Sequence, residues 1–167
     1  MSVNSNTYCL DANVLIQAWQ KYYSPALCPD YWKVLDELGT EGKIFICQEV
    51  YDEIVKTEDE LSKWLKSSNI PVRKTSESVI RNLKEIYKTP THLKLVDNTK
   101  NRSLADPWII AHAMDFDSVV VTKEEKVTQV NSTKVKIPNV CDNMGVRWIN
   151  DFEFVQELSF TFSCQRS

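Results

Sequence analysis

Glycine is scarce in this chain: its 167 residues hold only Gly39, Gly42 and Gly145. No glycine-rich loop can be built from them. P-loop and nucleotide-cofactor readings, which need backbone N–H groups close to phosphate, are therefore excluded. Imidazoles are equally few, His92 and His112. The five cysteines, Cys9, Cys28, Cys47, Cys141 and Cys164, form no CxxC pair. A zinc site is accordingly not expected. Cys9 and Cys47 lie in apolar runs and read as buried thiols. An odd count fits a reducing compartment. No apolar run approaches the roughly 20 residues of a membrane span. The polar start, residues 1–6, lacks the basic and apolar regions of a signal peptide. Together these absences predict a cytoplasmic protein with no membrane partner. Positive charge is not in excess either: the net charge is −3. That argues against coating nucleic acid through bulk charge. An enzyme acting on nucleic acid stays open, because carboxylates holding a metal add to the negative total.

Hydrophobic residues make up 43% of the chain and charged residues 26%, as in ordinary globular proteins. The length favours one domain with a real core. It is read as residues 1–167 with a core of about 7–158. Short apolar strands are expected at 7–11, 43–47, 118–122, 136–141 and 146–149. Helical spacing is expected at 12–21, at 30–38 with a stop at Gly39, and at 48–55, 58–65, 76–88 and 152–158. A further helix follows Ser103, read as its N-cap with Asp106 three residues on. Residues 89–104 read as a connection. The tail 159–167 is open between an added strand and a loose end. Strands alternating with helices indicate an α/β fold with a mainly parallel sheet.

Four acidic residues stand where strands and helices meet. Asp11 ends the apolar run Tyr8-Cys9-Leu10, and Asn13 follows it. Glu53 lies on the helix after the Ile44 to Ile46 strand, and Glu49 shares its face at i, i+4. Asp106 opens an apolar helix, where a carboxylate suits the N-terminal dipole. Glu124 follows the Val119 to Val121 strand. In open α/β sheets ligands bind beyond the carboxyl ends of the strands. Carboxylates gathered there repel, and a cation relieves them. Oxygen-only ligands suit Mg2+ or Mn2+. The chemistry that follows is metal-assisted hydrolysis.

At these residues the chain resembles the PIN-domain ribonucleases, of the kind found as toxins in VapBC-type toxin–antitoxin pairs. The resemblance is carried by Leu10-Asp11-Ala12-Asn13-Val14-Leu15-Ile16, Val50-Tyr51-Asp52-Glu53-Ile54, Ala105-Asp106-Pro107-Trp108-Ile109-Ile110-Ala111-His112-Ala113 and Val120-Val121-Thr122-Lys123-Glu124. In order and rough spacing these span nearly the whole chain. The resemblance implies a three-layer α/β/α fold around a mainly parallel, five-stranded sheet. It implies that Asp11, Glu53 and Asp106 surround Mg2+ or Mn2+, with Asn13 and Thr122 orienting carboxylates. Glu124 takes the fourth acidic position, where the family commonly has Asp. The longer side chain puts direct ligation there in question, and Glu125 competes for the place. Family members cleave single-stranded RNA, often as homodimers, and many are held inactive by an antitoxin.

Plainer readings stand beside these. Asp11 and Asp106 could serve only as helix-terminal groups, and Glu53 and Glu124 as surface charges. Glu49 reads as a structural or surface residue and His112 as a hydrogen-bonded core residue. The five tryptophans, Trp19, Trp32, Trp64, Trp108 and Trp148, fit core stripes. Lys94, Lys100 and Arg102 are candidates for RNA phosphates, with a solvated loop as the alternative. A catalytically silent PIN-like binding module is the second functional reading, motivated by Glu at position 124. A phosphatase of the haloacid dehalogenase type needs a second Asp where this chain has Asn13.

Overall fold

A computed structural model describes residues 5–97, 99–100 and 103–167. Its centre is β1 (Tyr8–Leu10), three residues with no exposure. On one side β1 pairs with β2 (Ile44–Cys47), and β2 with β3 (Val72–Arg73). On the other it pairs with β4 (Val119–Val121), and β4 with β5 (Trp148–Ile149). The order is β3-β2-β1-β4-β5 and every pair is parallel. This is the five-stranded α/β sheet expected. β1, β2 and β4 are buried along their whole length, as apolar strands of a parallel sheet are when helices cover both faces. The chain runs from β1 outward to β3, then crosses back to β4 on the far side of β1. The sheet therefore has its switch point between β1 and β4.

Eight α-helices are found among the described residues. α1 (Ala12–Gln20), α3 (Gln48–Val55) and α6 (Asp106–Phe116) bear on the site. α1 and α3 start directly where β1 and β2 end. α6 is apolar on nearly every face, burying Ile109, Ile110, Ala111, His112 and Ala113, and packs on β1, β2 and β4. It ends at Asp117 in the left-handed region, φ 47°. α2 (Pro29–Thr40), α4 (Glu60–Ser67) and α5 (Glu77–Tyr87) lie between these elements in the chain. No helix of the described residues is long and apolar enough to cross a membrane.

Several expectations need correction. Residues 136–141 are not a strand. They begin α7 (Ile137–Met144), with Pro138 in its first turn and Gly145 closing it at φ 68°. Ile137 and Val140 are β-branched and apolar, but the helix N-terminus is satisfied from outside, the Ile137 N–H donating to Glu124. Val72–Arg73 is a strand too short for periodicity to mark. The connection 89–104 contains a 3-10 helix, Pro90–Leu95, that buries His92. Ser103 is not the N-cap of α6. It sits at φ 57°, and Ala105 takes the cap position. After α8 (Asp151–Glu157) the tail forms no regular element among the described residues. It is tied down by Phe160 against Tyr31 and Phe162 stacked on Tyr23.

Gly39 does not stop α2, which continues to Thr40. Glycine is required there for close approach: a Cβ would stand 2.8 Å from the Ile70 backbone and 2.9 Å from the Asn69 carbonyl oxygen. Gly to Ala inside a helix normally stabilises by up to about 1 kcal/mol. Here Gly39→Ala is expected to destabilise instead, by roughly 1–3 kcal/mol, the usual cost of overpacking. Urea denaturation of the two proteins measures the sign.

Candidate active site

The parallel sheet delivers the ends of β1, β2 and β4 to one edge. Leu10 pairs with Val121, so the next residues, Asp11 and Thr122, lie side by side. The Asp11 N–H donates to the Val121 carbonyl at 3.0 Å. The buried Thr122 hydroxyl donates to Asp11 Oδ2 at 3.1 Å. Thr122 thus orients a carboxylate that is 3% exposed. Across from it, Pro107 in the first turn fixes the start of α6. Asp106, the first residue of that helix, is 7% exposed.

Asp11 and Asp106 line one cleft of about 600 Å³ with Asn13, Glu49, Asp52, Glu53, Lys56, Ser103, Leu104, Ala105, Trp108 and Glu124. That volume is in the range of ligand sites. Asp11, Glu49, Asp52, Glu53, Asp106 and Glu124 face a single lysine among the lining residues. Burial pushes the Asp11 carboxyl up to about 7, against the Thr122 hydrogen bond, and Glu124 and Glu53 add to the rise. Burial pushes Asp106 up to about 9, with Asp11 and Glu124 raising it and the Ser103 hydroxyl opposing. Glu53 is exposed to the cleft; partial desolvation raises it and Lys56 lowers it. The cleft is a cluster of carboxylates short of cations.

The four acids expected at the site therefore line one cleft. They do not crowd to a point: no three of them place ligand oxygens within 4.8 Å of one another. Glu124 is otherwise engaged. Its Oε2 accepts the Ile137 N–H at 2.8 Å and its Oε1 the Lys136 ammonium at 3.4 Å, so it caps α7. Asn13 is exposed on the cleft wall and makes no hydrogen bond to a carboxylate among the described residues. Lys94 and Lys100 are exposed and do not line the cleft; Arg102 lies outside the described residues.

Sequence reasoning missed Asp52 and Lys56, and it assigned Glu49 to structure or surface and Trp108 to the core. Asp52 lies inside the motif quoted around Glu53 but was given no role there, and Lys56 carries no motif. Glu49 lines the cleft, its Oε1 accepting the Thr75 hydroxyl at 2.7 Å. Trp108 is half-buried on the cleft wall. His112 is fully buried, as expected of a core residue, but neither ring nitrogen has a hydrogen-bond partner.

The family model described as "Domain of unknown function (DUF4411)" matches residues 8–162. No curated protein matches the chain. Among solved structures, the crystal structure of VapBC2 from Rickettsia felis bound to a DNA fragment from their promoter contains a similar chain. It is 16% identical, with a TM-score of 0.55 over 86% of this chain and 98% of that one. The likeness is one of fold.

Two outcomes follow from the electrostatics. Asp11 and Asp106 have folded-state values above their ordinary one of 3.8. The native state therefore binds more protons than the unfolded state. The stability this gives is full below about pH 4 and is lost as pH rises through about 7 for Asp11 and about 9 for Asp106. Metal-free protein is expected to lose stability between pH 5 and 9. Asp11→Asn should flatten part of that slope in thermal melts taken with chelator. Separately, Glu124→Ala should cost about 1 kcal/mol as a lost helix cap, read in melts at one pH.

Proposed function

The chain belongs to the DUF4411 family, and from that premise we propose that it is a Mg2+- or Mn2+-dependent endoribonuclease acting on single-stranded RNA, the toxin of a toxin–antitoxin pair. One observation carries the reading: two buried carboxylates, Asp11 at the end of β1 and Asp106 at the start of α6, line one cleft with four more acids. The fold it shares with a chain of a VapBC2 complex supports the same class and an antitoxin partner.

In this reading Asp11 and Asp106 hold the ion, Glu53 approaches from α3, and Glu124 acts through water. When bound, the divalent ion supplies Lewis acidity toward a phosphoryl oxygen and lowers the pKa of water. The chain's own residues do the rest. Thr122 keeps the Asp11 carboxylate in one orientation, which lowers the cost of assembling the site. Lys56 offers a charge to the RNA backbone, and Trp108 a face on which a base can stack. Carboxylates spread around the cleft keep RNA out until a cation neutralises them.

Cleavage of single-stranded RNA by purified protein, with Mn2+ against chelator, tests this. Asp11→Asn and Asp106→Asn should each lower the rate roughly 100-fold or more, the scale of removing one transition-state stabiliser. Chelator should abolish cleavage. If wild type and Asp11→Asn cleave equally, the assignment fails; if wild type never cleaves, the silent binding module replaces it.

A further inference from the structure

We infer that the protein carries a second metal site, of a different class from the acidic cleft: a zinc-type transition-metal site made by Cys47, Glu49 and His112. Each of the three residues offers a ligand atom, and no two of these atoms are more than 4.8 Å apart. Cys47 ends β2, Glu49 lies two residues on in the first turn of α3, and His112 comes from α6 packed on β2. A thiolate, an imidazole and one carboxylate are donors for Zn2+, Co2+ or Fe2+, and a poor set for Mg2+.

The unsatisfied atoms point the same way. His112 is 0% exposed, yet neither Nδ1 nor Nε2 has a hydrogen-bond partner. Glu49 Oε2 is also buried with no hydrogen bond, and His112 Nε2 is its ion-pair partner. Buried polar atoms of this kind are rare, because each carries its full desolvation cost. His112 Nε2 and Glu49 Oε2 face each other at 3.6 Å, too far for a hydrogen bond. Two ligands at about 2.1 Å from a tetrahedral ion stand about 3.4 Å apart. A cation between them would satisfy one ring nitrogen and the carboxylate oxygen at once.

The surroundings suit such an ion. Glu49 Oε1 is held by the Thr75 hydroxyl at 2.7 Å, the outer support that orients a ligating carboxylate. Glu49 lines the acidic cleft, which gives an entry path. Three protein ligands leave a fourth position open. Because Glu53 lies one turn beyond Glu49 on α3, an ion here ties the placement of that cleft acid to the β2 end.

The test is a Co2+ titration of chelator-treated, full-length protein, read by absorbance. One equivalent should give a near-ultraviolet thiolate-to-cobalt band that Zn2+ displaces and Mg2+ does not. The band should survive in Asp11→Asn, which separates this site from the cleft carboxylates and from the nuclease reading. Cys47→Ser should remove it, and Thr75→Val should weaken Co2+ roughly 10-fold. Absence of the band in wild type, or its persistence in Cys47→Ser, overturns the proposal. Should Cys47→Ser fail to fold, Thr75→Val decides: unchanged affinity overturns it.

Discussion

The structure depends on a carboxylate placed against its own interest. Asp11 stands 3% exposed at the end of the central strand, beside a second buried acid, Asp106. Desolvation and mutual repulsion both disfavour charge there. Nothing in the hydrophobic core requires an acid at that point. The sheet nevertheless holds it with a backbone hydrogen bond to Val121 and a side-chain one from Thr122. The proposed divalent ion would relieve that conflict by neutralising both carboxylates.

The parallel sheet explains why the donors meet. Every strand runs the same way, so the carboxyl ends of β1, β2 and β4 share one edge. Asp11 follows β1, Cys47 and Glu49 stand at the end of β2, and Thr122 and Glu124 follow β4. α6 lies across all three strands and contributes Asp106 at its start and His112 further along. One edge and one helix thus supply both proposed donor sets, one hard and one soft. Glu49 stands between them, on the cleft wall and beside His112.

Much of this was legible in the sequence, for a physical reason. Apolar strands ending in polar residues locate a sheet edge, and Asp11 was placed by that rule; Glu53 and Asp106 were placed on helices, and Thr122 through the family resemblance. Several failures share a cause, contacts between residues far apart in the chain. α7 looked like a strand because its cap, Glu124, lies 13 residues before Ile137. Gly39 looked like a helix stop because the Ile70 backbone it makes room for is invisible locally. Cys47, Glu49 and His112 follow no metal-binding spacing, since packing of α6 on β2 joins them. Lys56 had no pattern to mark it at all.

The central claim is that the switch-point carboxylates bind a divalent ion. Crystals equilibrated with Mn2+ and measured for anomalous scattering test it most directly. The account predicts a peak in the cleft between Asp11 and Asp106, absent from Asp11→Asn crystals. No peak there at saturating Mn2+, or a peak only beside Cys47 and His112, would contradict it.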